Sequence, residues 1–448
     1  MTQECRQKVW TFQSTFCAPS TLLFSGAAVN YRSRSGGVIQ PYTMAKGCSP
    51  KCPLPPILRP LLGFIFFLVD VVLDVWNIVS LYQKGEYVYV GLLIALLLAS
   101  SVLAQVYSWM WYSDYKETLE SRVEKFASSH GLIGLLHVFQ LGMFLRFAGV
   151  VEISICNPKQ NNKQGGAASL SPDMSMLRLI EAFSESAPQL VILICITIQE
   201  QELQLLQGLK IAGSFGAIAF CLLSYHRNMR KFVPEDQKMG WSSSAVFFLW
   251  NLFLITPRVL AVALFASILP CYIAAHFLSW WVLLFLWAWR QKTDFMDTEG
   301  GEWLYRATVG LIWYFSWFNV SKGKTKVKSI IYHVCMGADM GLLLGLWFWQ
   351  RSVESARLNP LPVNPYVLIG VLPALYITGL LLKLLYYWKF HLSRPRLIFS
   401  VRDAMSQIQS EVQVEEFGTI MPERETEPKQ IFTGIHKRRR NMAVNFYY

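Results

Sequence analysis

The chain has 448 residues, of which 53% are hydrophobic and only 16% are charged, a composition that argues against a soluble fold. A net charge of +12 would suggest a nucleic-acid partner in a soluble protein. Here the basic residues lie mostly between apolar runs, where they orient membrane spans, so we exclude nucleic acid as a partner. The cysteines are scattered, and Cys48 and Cys52 have no nearby histidine, so we predict no metal site and no cofactor.

The chain divides into an arm, an apolar core and a tail. Residues 1–60 are rich in Ser, Gly, Pro and Arg, and we interpret them as a cytosolic N-terminal arm, with Met44 as an alternative start. Residues 61–390 form the transmembrane domain, and residues 391–448 form a tail that we predict to be cytosolic and regulatory. The domain contains ten apolar runs near the length that crosses a roughly 30 Å hydrocarbon core. They lie at 61–82, 87–112, 131–151, 174–198, 203–226, 243–265, 267–290, 304–320, 329–350 and 365–390.

Basic segments between the runs predict the orientation. They are 113–130, 227–242, 321–328 and the C-terminal tail. Because Lys and Arg accumulate on the cytosolic side, all four are predicted to be cytosolic, and an even number of crossings must separate them. The sequence therefore predicts an all-α integral membrane protein with eight transmembrane helices, two re-entrant helices and both termini in the cytosol.

Two runs must then fail to cross. The run 174–198 carries three charges and is the best candidate for a non-spanning or buried segment. The second must be one of 243–265, 267–290 and 304–320, and the sequence leaves that choice open. Prolines inside the runs at Pro188 and Pro257 suggest an internal repeat and two pseudo-symmetric halves, although two such prolines also arise by chance.

Ionisable residues inside the runs are the strongest candidates for a functional site. Asp70 and Asp74 are four residues apart and share one helical face, and Arg178, Glu181 and Glu185 form a second stripe. Each such charge costs about 2.5 to 3.5 kcal/mol near the bilayer centre, so none of them should face lipid. Further candidates lie within or at the edge of other runs: Arg146, Arg227, Arg258 and Asp339.

Two interpretations fit these charges. They form a polar stripe along which a lipid headgroup slides while its acyl chains stay in lipid, or they form buried salt bridges that fix helix packing. No energy-coupling motif accompanies them, because the Lys324-Thr325 pair resembles the end of a nucleotide-binding loop but Phe318 occupies the position that requires glycine. No acid-base pair for an integral acyltransferase is evident either, so we do not expect an enzyme.

Several segments in one order resemble the XK-related membrane proteins. Residues 174–179 read Met-Ser-Met-Leu-Arg-Leu, and they are followed by Glu181, Glu185 and Ala-Pro-Gln-Leu at 187–190. The match continues through 248–252, 257–265, 293–296, 302–306 and 314–320, and with Asp70 and Asp74 it covers roughly 60–390. These segments are similar to those of the branch typified by the family's eighth member.

The resemblance implies an apoptotic phospholipid scramblase of the plasma membrane, with eight spans and two re-entrant helices, that exposes phosphatidylserine without ATP. It also implies a single-span immunoglobulin-type chaperone such as basigin or neuroplastin, while a homodimer is left open. It assigns eight positions to the lipid path, Asp70, Asp74, Arg178, Glu181, Glu185, Arg227, Arg258 and Asp339. Tyr89 would be an aromatic gate near the outer mouth of the path.

Two departures from the family pattern concern pairing and regulation. Ser224 stands where the family has an acidic residue three positions before Arg227. Beyond residue 390 the only aspartate is Asp403, preceded by Ser-Val-Arg, a poor context for a caspase. Phosphorylation or another trigger is therefore an equal alternative to cleavage. A non-scrambling scaffold or accessory subunit, and an ion channel or solute carrier using the same charges, remain competing functions.

Overall fold

A computed structural model describes seven ranges of the chain, 54–114, 121–156, 167–200, 205–230, 240–320, 325–353 and 364–391. Apart from its last seven residues, the N-terminal arm lies outside the described residues, as do nearly all of the C-terminal tail and parts of the basic loops. Within those ranges regular structure is helical, as the sequence predicts.

Thirteen helices occur in the described part of the chain, two of them continuous through a π-helical turn. The first half contains α1 (Leu54–Gln83), α2 (Tyr87–Asp114), α3 (Arg122–Ser129), α4 (Leu132–Val138), α5 (Gly142–Cys156), α6 (Ala167–Glu181), the π turn Ala182–Ser186 and α7 (Ala187–Glu200). The second half contains α8 (Leu205–Arg230), α9 (Trp241–Ile268), α10 (Pro270–Arg290), α11 (Glu299–Phe315), α12 (Thr325–Val353) and α13 (Pro365–His391).

Local sequence explains several helix boundaries. The hydroxyl of Ser121 accepts a hydrogen bond from the Glu124 backbone N–H and caps α3. Thr298 caps α11 in the same way. Helices α10 and α13 both begin at a proline, which suits the first turn because its missing N–H would be unpaired there.

Eight helices in the described part of the chain are long and apolar enough to cross a membrane, the number predicted from the sequence. They comprise 63–83, 87–113, 173–200, 205–229, 241–268, 270–290, 325–353 and 365–389. The segment 173–200, formed by α6, the π turn and α7, is the most enclosed of the eight, with 83% of its apolar window buried. It packs against α2, α5, α8, α9 and α11, and so forms the centre of the helix bundle.

The choice of a non-spanning segment in the first half needs correction. We predicted the run 174–198 to be non-spanning or buried. It is buried, but its helix is long enough to cross. The run 131–151 is instead broken into α4 and α5, of 7 and 15 residues, which are too short to span.

The break is stabilised by side chains from α2. Gln140 adopts a left-handed backbone with φ of 62°. Its side-chain oxygen accepts from the Ser101 hydroxyl at 2.6 Å, and its carbonyl accepts from Gln105 at 3.1 Å. Gln105 also accepts from the Gly142 backbone N–H. These bonds satisfy backbone groups that an unbroken helix would pair internally, so the chain can turn here.

In the second half, α11 has 17 residues and is the one helix of the three runs that lacks the length and composition of a span, so we interpret it as the non-crossing segment. It packs closely against α10, where Gly310 lies near the backbone of Phe285. The proposed pseudo-symmetry of the two halves stays a prediction.

Candidate functional site

The first charged cluster joins α1 to α8. The Lys210 ammonium contacts the Asp74 carboxylate at 2.7 Å, and these side chains are only 8% and 4% exposed. Asp70 lies one turn before Asp74 on α1, as the four-residue spacing predicted. Asp70 interacts with Lys210 and also with Arg178 of the central helix.

The central helix provides a second ion pair beside the first. Arg178 of α6 contacts Glu181 at 2.8 Å, which confirms that residues of this stripe pair with one another. The guanidinium of Arg178 also lies 5.1 Å from the ring centroid of Phe67 on α1, at cation–π distance. The central helix and α1 thus meet through a charged and aromatic contact rather than through apolar packing alone.

The π turn directs Glu185 to different neighbours. A π turn contains one extra residue, so the side chains that follow it are rotated relative to an uninterrupted α-helix. Glu185 lies in this turn and interacts with Asp74 and with Ser100 of α2. The neighbouring Ser184 hydroxyl is 2.7 Å from that of Ser100. One continuous helix consequently presents acidic groups to both α1 and α2.

These side chains line a narrow cleft between α1 and α8, with the central helix as its floor. Its polar lining is Asp70, Asp74, Asn77, Ser186, Gln189, Lys210 and Ser214. A smaller adjoining cleft shares Asp70 and Ser186 and adds Arg178, Glu181 and Cys221. The larger cleft has room for about one water molecule, which is too little for a phospholipid headgroup. The structure therefore represents a closed form of this site.

An apolar plug closes one end of the cleft. Leu81 of α1, Val90 and Leu93 of α2 and Ile196 of α7 form a small buried cluster there. Tyr89 packs against this plug, and its hydroxyl donates to Gln199 at 2.7 Å.

Next to that contact lies a partly exposed ion pair. Lys84, in the turn after α1, contacts Glu200 at the end of α7 at 2.7 Å. Tyr89 is thus at one end of the cleft, while its role as a gate stays a prediction.

A second buried cluster surrounds Asp339 of α12. Its carboxylate forms an ion pair with Arg258 of α9 and accepts hydrogen bonds from His276 Nε2 at 3.1 Å and Trp280 Nε1 at 2.8 Å. Arg258 also donates to the Tyr314 carbonyl at 3.1 Å. The contacts described here join Arg258 and Asp339 to each other and to α10 and α11. That they belong to the same path as Asp74 stays a prediction.

A third cluster fixes α5 to its neighbours. The guanidinium of Arg146 is fully buried, donates to Ser108 at 2.7 Å and lies 4.1 Å from the Tyr112 ring centroid. Asp173, at the start of the central span, is 3.9 Å from Arg146. Nearby, burial raises the pKa of the Glu124 carboxyl, while the Tyr112 hydroxyl bond and the Arg146 charge oppose that rise. Its contacts join α5 to α2 and to the start of α6, so we interpret this cluster as one that stabilises helix packing.

Two predicted residues remain, Arg227 and Asp403. Arg227 is half-buried and interacts with other residues. It follows Lys210 by seventeen positions on α8, about 25 Å along the helix. Asp403 lies outside the described residues.

Sequence reasoning missed the basic partner in the cleft. Lys210 is a lysine inside the apolar run 203–226, so the signal that identified Asp70 and Asp74 was present for it as well. His276 and Trp280 were also missed as partners of Asp339. Tryptophan is common near the ends of membrane helices, but a histidine within a span is rare, so His276 did carry a signal. Only the arrangement in space shows which of these side chains meet.

Comparison with known proteins gives matches over most of the chain. A family model described as XK-related protein matches residues 58–392. The chain is 43% identical over 338 residues to XK-related protein 8 of Tetraodon nigroviridis and 37% identical over 334 residues to that of Pan troglodytes, covering 74% of this chain and 82% of either relative. It is also 30% identical over 343 residues to XK-related protein 9 of Tetraodon nigroviridis, covering 73% of this chain and 88% of the relative.

Proposed function

This chain belongs to the XK-related family, and we propose that it is a phospholipid scramblase, which lets lipids cross between leaflets without ATP. The observation that carries this proposal is the cleft between α1 and α8, where acidic, basic and amide side chains lie on an otherwise apolar surface. An ordinary packing interface between membrane helices is formed by small, apolar and neutral polar residues, and acidic or basic residues are rare there.

The position of the cleft suits a lipid whose acyl chains stay outside the protein. Large apolar side chains on both flanking helices face outward, with Val72 and Trp76 on α1 and Leu209 on α8 each more than half exposed. A headgroup in the cleft would meet polar partners, and its chains would remain in the hydrocarbon beside these residues. The main barrier to lipid crossing, burial of the headgroup charge, would thereby be lowered.

The headgroup path must open before lipid can enter. In the closed form the Asp74–Lys210 pair bridges the flanking helices, and Leu81, Leu93 and Ile196 close one end. We propose that opening moves α1 away from α8, with Tyr89 as the gate residue at that end. The C-terminal tail would control this step, by cleavage at Asp403 or by phosphorylation of the tail.

The proposal extends to the location, topology and partners of the protein. We propose a multi-pass protein of the plasma membrane with both termini cytosolic, which exposes phosphatidylserine during apoptosis and is not an enzyme. A single-span immunoglobulin-type chaperone such as basigin or neuroplastin would be its partner, and a homodimer is a second assembly to test.

Fluorescent-lipid flip in proteoliposomes tests the proposal. Full-length protein, a truncation after residue 400 and the truncation carrying Asp74→Asn and Glu181→Gln would be compared, each with and without the chaperone. The truncation should flip lipid faster than the full chain, and the double variant should abolish the gain. A matched control in the same truncation, Asp297→Asn with Glu299→Gln, changes two exposed carboxylates outside the cleft and should leave the rate unchanged.

A scaffold without scrambling activity is the second candidate function. It is favoured by the pairing of Asp74 with Lys210, Arg178 with Glu181 and Asp339 with Arg258, because paired buried charges also fix helix packing. No lipid flip by any well-folded form, with the chaperone present, would favour the scaffold. Ionic current or solute uptake without lipid flip would favour a channel or carrier instead.

A further inference from the structure

Lys383 of α13 stands apart from the charged residues in the clusters above. Its ammonium donates to the Ser329 hydroxyl and to His333 Nε2, both at 2.8 Å and both on α12. It therefore lies in the seam between these two helices. Within the described part of the chain, Lys383 contacts no carboxylate.

The hydrogen bonds around His333 fix which groups donate. The Tyr376 hydroxyl donates to the His333 carbonyl at 3.2 Å, so its oxygen accepts from His333 Nδ1 at 3.1 Å. His333 Nε2 then carries no hydrogen and accepts from Lys383. The lysine thus donates two of its three N–H groups to neutral acceptors, and the Ser329 hydroxyl keeps its own hydrogen to donate.

The helices that meet at this seam hold almost no negative charge. α13 packs against α9 and α12, and in these three helices Asp339 is the only carboxylate, already paired with Arg258. The basic side chains they carry are Arg258, Lys326, Lys328, Arg351, Lys383 and Lys389. A lysine charge inside a membrane helix is costly unless an anion neutralises it. The chain itself offers none at this seam among the described residues.

The surroundings of the seam suit an amphiphile. Ile330 and Val334 of α12 and Leu384 of α13 each adjoin a residue of the polar group, and Trp388 follows Lys383 by five residues; all four are more than 60% exposed. Basic pockets between helix ends that are bordered by apolar surface hold anionic lipid headgroups in other membrane proteins. A phosphate with attached acyl chains would match both parts of this surface.

We propose that the α12–α13 seam binds a phosphate group at Lys383 and Ser329, which makes this a site for an anionic phospholipid that is separate from the cleft between α1 and α8. Two N–H or O–H donors, from Lys383 and Ser329, would face the phosphate oxygens. The site does not depend on the proposed scramblase activity, because it would anchor a lipid against two helices that do not line the cleft.

Native mass spectrometry of the detergent-purified full chain tests the site. Dioleoyl phosphatidic acid, dioleoyl phosphatidylcholine and inorganic phosphate would be added separately to the wild type and to variants. Phosphatidic acid should bind the wild type in preference to phosphatidylcholine, and Lys383→Met should weaken it roughly 10- to 100-fold, the range expected for a charged hydrogen-bonding group. Lys383→Arg should retain binding.

Two further variants keep the result interpretable. Ser329→Ala should weaken phosphatidic acid binding roughly 3- to 10-fold, so it decides the question if Lys383→Met does not fold. Lys326→Met removes the same charge from an exposed position near the start of α12 and should change binding little. Displacement of phosphatidic acid by inorganic phosphate would show a site for free phosphate, and failure to displace would show a lipid site.

Equal binding of the two lipids by the wild type would overturn the proposal. So would unchanged binding by Lys383→Met and Ser329→Ala, or a loss in Lys326→Met as large as that in Lys383→Met, since diffuse attraction to positive charge would then explain the result.

Discussion

The Asp74–Lys210 ion pair allows a quantitative test of how the cleft is held closed. At 2.7 Å and an effective dielectric constant near 20, the attraction between the charges is about 6 kcal/mol, against which desolvation of both groups must be set. Removing one partner of such a buried pair costs about 3 to 5 kcal/mol, whereas replacing both is often nearly neutral. We therefore expect Lys210→Met to destabilise the protein by about 3 kcal/mol or more, since it leaves the buried Asp74 carboxylate without the ammonium that contacts it.

Asp74→Asn should cost less than Lys210→Met, because Lys210 can turn to Asp70 one turn away. The free energy of unfolding of the variant that carries both Asp74→Asn and Lys210→Met should lie within about 1 to 2 kcal/mol of the wild-type value. The coupling free energy between the two residues is then at least about 2 kcal/mol. Equilibrium unfolding in mixed dodecylmaltoside and dodecyl sulfate micelles, followed by far-UV circular dichroism, measures the four free energies of unfolding.

The Lys84–Glu200 pair is the matched control. Its atoms are also 2.7 Å apart, but its side chains are 33% and 26% exposed, so its coupling free energy should be at most about 1 kcal/mol. Equal coupling for both pairs, or additive effects of the two substitutions at Asp74 and Lys210, would refute the claim that burial makes the cleft pair structurally important.

Two other predictions concern regions outside the cleft. Burial raises the pKa of Glu124, so the folded state binds its proton more tightly than the unfolded state does, and the associated stability declines as pH rises above the ordinary value of 4.5. Melting temperatures between pH 4 and 8 should fall more steeply for the wild type than for Glu124→Gln, and parallel curves would contradict this. Gly310→Ala should cost about 1 to 3 kcal/mol, because the added methyl lies 3.1 Å from the Phe285 backbone nitrogen and neither helix backbone can yield easily. An unchanged unfolding midpoint would show that α10 and α11 separate without cost.

The number of membrane spans was predictable because a span requires a long apolar run, and such runs are visible in the sequence. The contact between Arg178 and Glu181 was also predictable, since residues three apart meet on one helical face. Both features depend on local spacing alone.

Features that depend on contacts between distant segments were not predictable. The run 131–151 contains no proline, and its break at Gln140 depends on Ser101 and Gln105 of α2, more than thirty residues away. The pairing of Asp74 with Lys210 joins residues separated by 136 positions. No periodicity within one helix contains that information.

The π turn Ala182–Ser186 determines how the side chains of α7 are oriented relative to those of α6. If the same residues were wound as an uninterrupted α-helix, Gln189 and Glu200 would be rotated by about 100° relative to Arg178. Gln189 would leave the floor of the cleft, and Glu200 would leave Lys84. Loops between the spans can change length at little cost, whereas a residue added to or removed from the α-helical parts of this buried helix would turn one half relative to the other by about 100°.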